Sequence, residues 1–299
     1  MLKKTVLLAL LLGSNAFAIE PPEGARLVGS EPTVKLAWEG ASKTYYLQIL
    51  AAGQKIFEGD VSGSSYQLGL QPNVYYTWSI TPAGGLGQSE AHHFQYSPQL
   101  NYDFNGGNGS PGRTAPQGDG TDGGPGQPGE NVQVYLAPQG DCTSVRIEGN
   151  SRRATFLLLP KSAPLQISAR GGDGGAGGAG ITGADSHFDP DNPRLFVQGT
   201  PGGSGGKGGD GGAGGQVFIH NTLSPGSPFL LKINIEGGKG GRPGAGGKGG
   251  LATDPRYVTR SNQPAVSANA PSAQQPSGSP GAAGKPGPQG SISDVGTHR

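Results

Sequence analysis

The sequence predicts an all-β sandwich followed by a bundle of glycine-rich helices that stands on a small β-layer, with almost no α-helix after the first residues. Turn signals recur at short intervals through the first hundred residues. Glycine then fills two of every three positions in two later tracts, and short strand-like runs flank those tracts. Glycine makes up 58 of the 299 residues, against a usual share of about 7%, so the second part of the chain cannot be an ordinary domain packed around large side chains.

The glycine tracts have a strict period of three. Residues 171–215 contain GGDGGAGGAG and GGSGGKGGDGGAGG, and residues 237–250 are GGKGGRPGAGGKGG. This period fits the extended polyproline-II geometry, which has three residues per turn, rises about 3.1 Å per residue and has no internal hydrogen bonds. Two bare faces would let neighbouring helices approach and pair their backbones. The third positions keep their register and are Ser204, Lys207, Asp210, Ala213 and Gln216, then Lys239, Arg242, Ala245, Lys248 and Leu251.

Alternating branched and polar residues before and after the tracts predict strands. The repeating unit is therefore a strand, an outgoing glycine helix, a tip loop, an incoming glycine helix and a strand. It occurs three times in residues 99–299, with tips near 113–117, 181–199 and 252–277. The strands of the β-layer are predicted at Tyr102–Phe104, Val132–Leu136, Val145–Glu148, Thr155–Leu159, Leu165–Ala169, Val217–His220, Leu231–Ile235 and Ser291–Val295.

Two other structures are consistent with the glycine content. A flexible glycine linker would need no period. The last tract, residues 278–290, has glycine at every third position with prolines between, as collagen does. A collagen triple helix needs long uninterrupted triplets from three chains, and the other tracts follow a different pattern, which favours the bundle.

The N-terminus predicts export. Lys3 and Lys4 precede an apolar run, and Ala16-Phe17-Ala18 forms a cleavage site, so residues 1–18 are predicted to be a secretory signal peptide of the Sec pathway. We expect a secreted, cell-surface or periplasmic protein with no transmembrane segment, since no later apolar run is long enough. The formal net charge of +1 gives no reason to expect nucleic acid as a partner. Cys142 is the sole cysteine, so it is expected to be a buried thiol or to pair between molecules.

Residues 19–98 have the spacing of a β-sandwich. Seven short strands are predicted in about eighty residues, at Ala25–Val28, Thr33–Trp38, Thr44–Leu50, Gln54–Glu58, Ser65–Leu68, Tyr75–Ile80 and His92–Tyr96. Trp38 closes the second strand, and Leu70-x-Pro72-x-x-x-Tyr76 is similar to the tyrosine corner of fibronectin type III domains. This region resembles that family, and the resemblance implies a spacer or binding module.

The part after residue 98 resembles polyglycine-II bundle proteins, notably the receptor-binding tip adhesins of phage long tail fibres. The segment GGDGGAGGAG, its loop and GGSGGKGGDGGAGG carry the resemblance, which implies a rigid glycine core that presents variable loops to a receptor. The signal peptide and the sandwich depart from that family and favour a bacterial surface or exported protein. A snow flea antifreeze protein is similar in composition, but the charged third positions here do not suit an ice-binding face.

Candidate binding residues lie in the tip loops. The second tip contains His187, Phe188, Arg194 and Phe196, and the third contains Arg256, Tyr257 and Arg260. Aromatic and arginine side chains dominate recognition hot spots, so we expect a glycan or surface-protein receptor to bind here. The alternative is that Phe188 and Phe196 pack the loop on itself and that residues 263–277 are unstructured.

Neither a metal site nor an active site is predicted. Asp185, Asp189 and Asp191 carry oxygens that suit calcium, but their spacing matches no known loop and prolines interrupt it. The glycine runs lack the Gly-Lys-Ser/Thr ending of a phosphate loop, and no nucleophile motif is present. We therefore expect a non-enzymatic adhesion or recognition protein. The alternative is a structural component of an envelope, fibre or matrix.

Overall fold

The computed structural model describes residues 21, 23–40, 42–83, 91–115, 118–189, 191–192, 195–224, 231–253 and 272–295. These residues form nineteen strands and no α-helix, which confirms the all-β prediction. Accordingly, the described ranges contain no helix long and apolar enough to cross a membrane. The signal-peptide prediction and residues 254–271 of the third tip lie outside the described residues.

The chain divides into two compact units. Unit 1 extends to Gln99 and takes in Gln139–Thr143 and Phe156–Ala163. Unit 2 contains Leu100–Pro138, Ser144–Thr155 and the chain from Pro164 onward.

Unit 1 contains all seven of the predicted N-terminal strands. Their bounds are β1 Ala25–Val28, β2 Thr33–Ala37, β3 Thr44–Ala51, β4 Gln54–Ser62, β5 Ser65–Gly69, β6 Tyr75–Pro82 and β7 Ala91–Ser97. One sheet has the order β4-β3-β6-β7-β1, with Leu157 and Leu158 of a later strand beside β1, and a second sheet pairs β2 with β5. Strands β1 and β7 are parallel, unlike the antiparallel pairs around β3 and β6.

An aromatic cluster fills the core of unit 1. Trp38 and Trp78 are 3% and 1% exposed, and their ring centroids lie 6.3 Å apart. Tyr76 is equally buried, and its hydroxyl accepts a hydrogen bond of 2.6 Å from the backbone N–H of Gln71. That bond fixes the turn before β6, at the position where the sequence predicted a tyrosine corner.

Unit 2 has a base of parallel strands. The bounds are β8 Asn101–Asp103, β9 Val132–Gln139, β10 Cys142–Glu148, β11 Arg153–Leu158, β12 Leu165–Ser168, β15 Gln216–Asn221, β16 Leu231–Asn234 and β19 Ser291–Asp294. The first sheet has the order β16-β12-β8, and the second contains β19-β15-β9 followed by β10 and β11. A glycine-rich tract follows each strand of the first sheet, and a glycine-rich tract precedes each of β9, β15 and β19.

Six glycine-rich tracts in unit 2 form two layers, which we call the glycine lattice. Tracts 1, 3 and 5 are residues 105–113, 170–183 and 236–250, and tracts 2, 4 and 6 are residues 118–130, 200–215 and 275–290. Within each layer, one N–H per triplet donates to the next tract. Gly109 donates to Asp173 and Gly174 to Lys239, for example, while Gly123 donates to Lys207. In every such bond, the donor N–H lies in the earlier tract and the acceptor carbonyl in the later one.

A second set of hydrogen bonds joins the two layers. In this set, N–H groups of a tract donate to carbonyls of the preceding tract in the sequence. Gly124 donates to Ser110, Gly175 to Gly124 and Gly209 to Gly175, with bonds of 2.7–2.8 Å. The same pattern continues from tract 5 to tract 4 and from tract 6 to tract 5. Tracts 3 and 4 therefore each contact four neighbours, and backbone groups supply the bonding that side chains supply elsewhere.

The position of a tract in the lattice explains its glycine content. In tracts 3, 4 and 5, two positions per triplet face a neighbour, and a Cβ on the glycines there would lie about 2 Å from a carbonyl oxygen, as at Gly174 and Gly175. Pro243 occupies one such position in tract 5. Tracts 1, 2 and 6 have one such position, and their remaining position faces the outside of the lattice. Side chains such as Arg113, Gln127 and Pro286 are therefore accommodated there. The collagen-like spacing of tract 6 is the spacing of an edge tract.

Aspartate and asparagine form a further set of bonds on the outer faces. In each case the side-chain Oδ1 accepts from a third-position N–H of the next tract in the layer, and the following residue donates to the carbonyl of that same third position. Asp210, for instance, accepts from Lys285 at 2.8 Å while Gly211 donates to the Lys285 carbonyl. We call this two-point contact an Asx clamp. The clamps join Asn105 to Arg170, Asn108 to Asp173, Asp173 to Lys239, Asp185 to Leu251, Asp119 to Ser204, Asp122 to Lys207 and Asp210 to Lys285.

Alanine substitutions should distinguish interior from edge glycines. A Cβ on Gly175 would lie 2.0 Å from the Ser110 carbonyl oxygen, whereas one on Gly107 meets only the Gln127 side chain, at 3.2 Å. We expect Gly175→Ala to lower the free energy of unfolding by about 2 kcal/mol through overpacking, and Gly107→Ala to change it little. Thermal and denaturant melts followed by circular dichroism measure both. Equal effects would contradict the lattice.

The Asx clamp at Asp210 should depend on pH. The backbone N–H of Lys285 lowers the pKa of Asp210 below its ordinary 3.8, and the charges of Lys207 and Lys285 help to outweigh the opposing effect of burial. Because the folded pKa is depressed, this contribution is present above pH 3.8 and is lost as the pH falls through the folded value. We expect Asp210→Ala to lower Tm at pH 7 by a few degrees and Asp210→Asn to lower it less, since asparagine keeps the acceptor.

The difference in Tm between wild type and Asp210→Ala should shrink as the pH falls below 3.8, toward the smaller difference that a neutral acceptor supports. The difference between Asp210→Asn and Asp210→Ala should stay constant, because neither variant titrates at this position. An advantage of wild type over Asp210→Asn that does not shrink at low pH would show that the charge of the carboxylate does not act through the clamp.

Candidate recognition site at the tips of the glycine lattice

The first tip is short. Arg113 and Thr121 close it through backbone and hydroxyl hydrogen bonds of 2.7–3.2 Å. Gly118 follows the turn with a φ of +82°, a conformation that favours glycine, and its carbonyl accepts from Ile181 of tract 3. Tract 3 continues beyond this level, so the second tip begins after the first has ended.

The second tip is a small β-hairpin. Strand β13, His187–Phe188, pairs antiparallel with β14, Phe196–Val197. The Asp189 N–H donates to the Leu195 carbonyl at 2.9 Å, and the Asp189 carboxylate accepts from the N–H groups of Asp191 and Asn192. A carboxylate that accepts from the backbone two residues onward is a common way to hold a turn, so the loop has a defined conformation in its described residues.

Two phenylalanine rings stabilise this hairpin. Phe188 and Phe196 meet edge to face, with centroids 5.4 Å apart and planes at 70°, the geometry that aromatic quadrupoles favour. Both rings are half-buried, while His187 is exposed and Leu195 is 50% exposed. The two phenylalanines thus pack the loop on itself, and the outer surface of the hairpin consists of its other side chains.

The second tip is bonded to the root of the third. The Asp185 carboxylate accepts from the Leu251 N–H at 2.7 Å, and the Ser186 N–H donates to the Leu251 carbonyl at 2.8 Å. Leu251 begins β17, Leu251–Thr253, which pairs with β18, Ser272–Gln274. The described parts of the two tips therefore form one contiguous surface, with Leu251 46% exposed. Arg194, Arg256, Tyr257 and Arg260 lie outside the described residues.

Two of the three carboxylates considered for calcium have other partners in this structure. Asp185 accepts from Leu251, and Asp189 accepts from its own turn. The described residues contain no group of three or more His, Cys, Asp or Glu side chains arranged to hold a metal. The geometry therefore gives these carboxylates a structural use in the tip.

A cleft in unit 1 is a second concave feature. It has a volume of about 190 Å³, an apolar floor that includes Leu27 and Val34, and a rim that includes Lys35 and Lys161. The half-buried side chain of Cys142 lines it and packs against the core of unit 1. The expectation of a fully buried thiol was therefore wrong, because the side chain lies at the wall of an open cleft.

No family model matches the chain, and no curated protein matches it. Functional inference therefore rests on the geometry of the tips. Sequence reasoning singled out histidine, aromatic and arginine residues and also named Leu195 in the second tip. It missed Leu251 at the tips, whose exposure follows from β17. It also missed the Asx clamps, although the repeated Asn-Gly and Asp-Gly pairs at three-residue spacing were a usable signal.

The phenylalanine pair should control local opening of the hairpin. We expect Phe188→Ala to reduce hydrogen-exchange protection of the Asp189 amide by a factor of about 2 to 10, since such a pair contributes about 0.5–1.5 kcal/mol. Leu195→Ala is the matched control and should leave that protection unchanged, because half of its side chain is exposed. Tm should stay constant in both, since the hairpin lies beyond the lattice. A fall in Tm with Phe188→Ala would contradict local opening.

Proposed function

We propose that this chain is an exported, non-enzymatic recognition protein of a bacterial surface, which binds a glycan or surface-protein receptor through its second and third tips. One observation carries this proposal. A tightly bonded backbone lattice ends in an irregular, chemically varied surface built from residues 185–199 and Leu251. Binding residues are commonly placed on loops that a rigid scaffold positions.

We infer that the six tracts are polyglycine-II helices. The support is the donation of two N–H groups per triplet to two different neighbours in tracts 2, 3 and 4, and of one per triplet in tracts 1, 5 and 6, with bond lengths of 2.7–3.2 Å. Helices without internal bonds must pair in this way. We likewise propose a fibronectin type III-like domain for unit 1, supported by its strand pairing and by the hydrogen bond to Tyr76.

The scaffold suits recognition because it places loops without large side chains of its own. Each tip loop connects two tracts whose backbones are hydrogen-bonded to neighbouring tracts on several sides. Holding a loop in one conformation before binding lowers the entropic cost of binding. Changes in loop sequence would then alter the receptor without altering the lattice.

The outward-facing side chains of tract 6 argue against a fibre that grows by the addition of further tracts. On tract 6, the positions Pro280, Ala283, Pro286 and Gln289 face outward, where the equivalent interior glycines of tract 4 face tract 5. A seventh tract at that edge would meet Cβ atoms at the distances that exclude side chains inside the lattice. A structural role in an envelope or matrix would therefore have to use other surfaces.

The proposal can be tested by binding to a glycan array and to a panel of bacterial and animal cells. The wild-type chain is compared with His187→Ala/Leu195→Ala and with a variant in which Gly-Gly replaces residues 187–197. We expect receptor binding to fall at least tenfold in the double variant and to be lost in the replacement, with an unchanged Tm. Ile56→Ala, a change at an exposed position of unit 1, is the control and should bind normally. Binding that survives loop replacement would refute the tip as the site.

A further inference from the structure

Three basic residues line one margin of the glycine lattice. Lys239, Arg242 and Lys248 occupy third positions of tract 5. All three side chains are exposed, and none forms an ion pair with a carboxylate of the described residues. We call this surface the basic column.

The charges of the basic column have a fixed spacing. In a polyglycine-II helix, positions three residues apart lie about 9 Å apart along the axis, so Lys239 and Lys248 lie about 28 Å apart. The backbone of each third position is anchored on its inner side. The carbonyl of Lys239, for example, accepts from Gly174, and its N–H donates to Asp173. The column is therefore a straight row of cations on a rigid support.

The margin also presents backbone donors. Tract 5 is the last tract of its layer, so no further tract in the described part of the chain lies beside it to accept hydrogen bonds. In tract 3, Gly171, Gly174 and Gly180 donate to tract 5. The N–H groups at the equivalent positions of tract 5, those of Gly237, Gly240 and Gly246, point in the same direction. They have no acceptor among the described residues. Amide donors beside ammonium and guanidinium groups favour anionic oxygens.

The surface beside the column is flat and nearly free of acids. The neighbouring third positions of tract 3 include Ala176 and Ala179, and Ala245 lies in the column itself. Asp173 is held by Arg170 at 2.6 Å and by the Lys239 N–H. Glu236 stands at the foot of the column. An extended polymer can therefore lie along the column without meeting large side chains or unpaired carboxylates in its upper part.

We propose that the basic column binds a linear acidic polysaccharide that carries carboxylate or sulfate groups at intervals along its chain. A single row of cations spaced about 9 Å and then about 19 Å apart is complementary to a thin polymer with widely spaced charges. Duplex DNA carries one charge per about 1.7 Å of its axis, which is far denser. A membrane would need cations across the whole face, whereas tract 1 of the same layer carries Asn105, Asn108 and Pro111. This site is separate from the tips.

The test compares the full wild-type chain with Lys239→Gln/Arg242→Gln/Lys248→Gln. Polygalacturonate, heparin, neutral dextran, duplex DNA and anionic vesicles are immobilised as probes, and binding is measured by interferometry over a range of salt concentrations. A control chain carries Lys35→Gln/Lys43→Gln/Lys161→Gln, which removes the same charge from exposed positions of unit 1. Circular dichroism melts of all three chains check that the fold is kept.

We expect the wild type to bind at least one charged polymer and not dextran. The column variant should bind about tenfold more weakly, and its slope of log K against log salt should become less negative by about two units, as for the loss of three contacts to a single-stranded polyanion. The control should bind like the wild type. Preference for polygalacturonate or for heparin identifies carboxylate or sulfate as the group bound.

Three results would overturn the proposal. Equal weakening in the control would show that only overall charge matters. Binding of duplex DNA or anionic vesicles more tightly than either polysaccharide would assign the column to another class of partner. The absence of binding by the wild type to both charged polymers would remove the site. Receptor binding at the tips is unaffected by all three results, because the column variant leaves residues 185–199 unchanged.

Discussion

The close approach of neighbouring backbones governs unit 2. Tracts without internal hydrogen bonds must satisfy their N–H and C=O groups with neighbours, and the resulting spacing leaves about 2 Å where a Cβ would lie. Glycine is required at those positions for lack of space, since the tract glycines, apart from Gly118 at the start of tract 2, do not adopt the positive φ of turn glycines such as Gly53 and Gly63. Each ordered glycine loses much conformational freedom, so the dense hydrogen bonding has to offset a large entropic cost.

Side chains contribute at the two ends and on the outer faces. At the base, alternate strand residues such as Val134, Ile167 and Val217 are buried and provide a conventional apolar core. At the far end, the hairpin of residues 187–197 is held by two phenylalanines and by the Asp189 turn. Between them, the Asx clamps hold third-position N–H groups that no backbone carbonyl reaches. The three kinds of interaction divide the unit into an anchored base, a rigid middle and an exposed tip.

Much of this architecture is predictable because two periods in the sequence are unusually clear. The period of two located β1 to β12, β15, β16 and β19 to within a few residues, and the period of three located the tracts. The parallel pairing of β1 with β7, the division of β11 between the units and the β13–β14 hairpin were not predictable, since they depend on contacts between distant segments. The tip residues were chosen by type alone. The sequence could not indicate that Phe188 and Phe196 face each other, because their pairing follows from the turn at Asp189.

The three-residue register of the lattice limits which insertions and deletions in the gene are compatible with the fold. Loss of one residue from tract 4 would turn Lys207 or Asp210 toward a neighbouring tract and move a glycine to the surface, so each remaining triplet would be out of phase. Changes of tract length are compatible with the lattice only in steps of three residues, or nine nucleotides. The tip loops carry no such phase, and insertions of any number of codons there leave both tracts in register. Length variation among descendants of this gene is thereby directed to the tips.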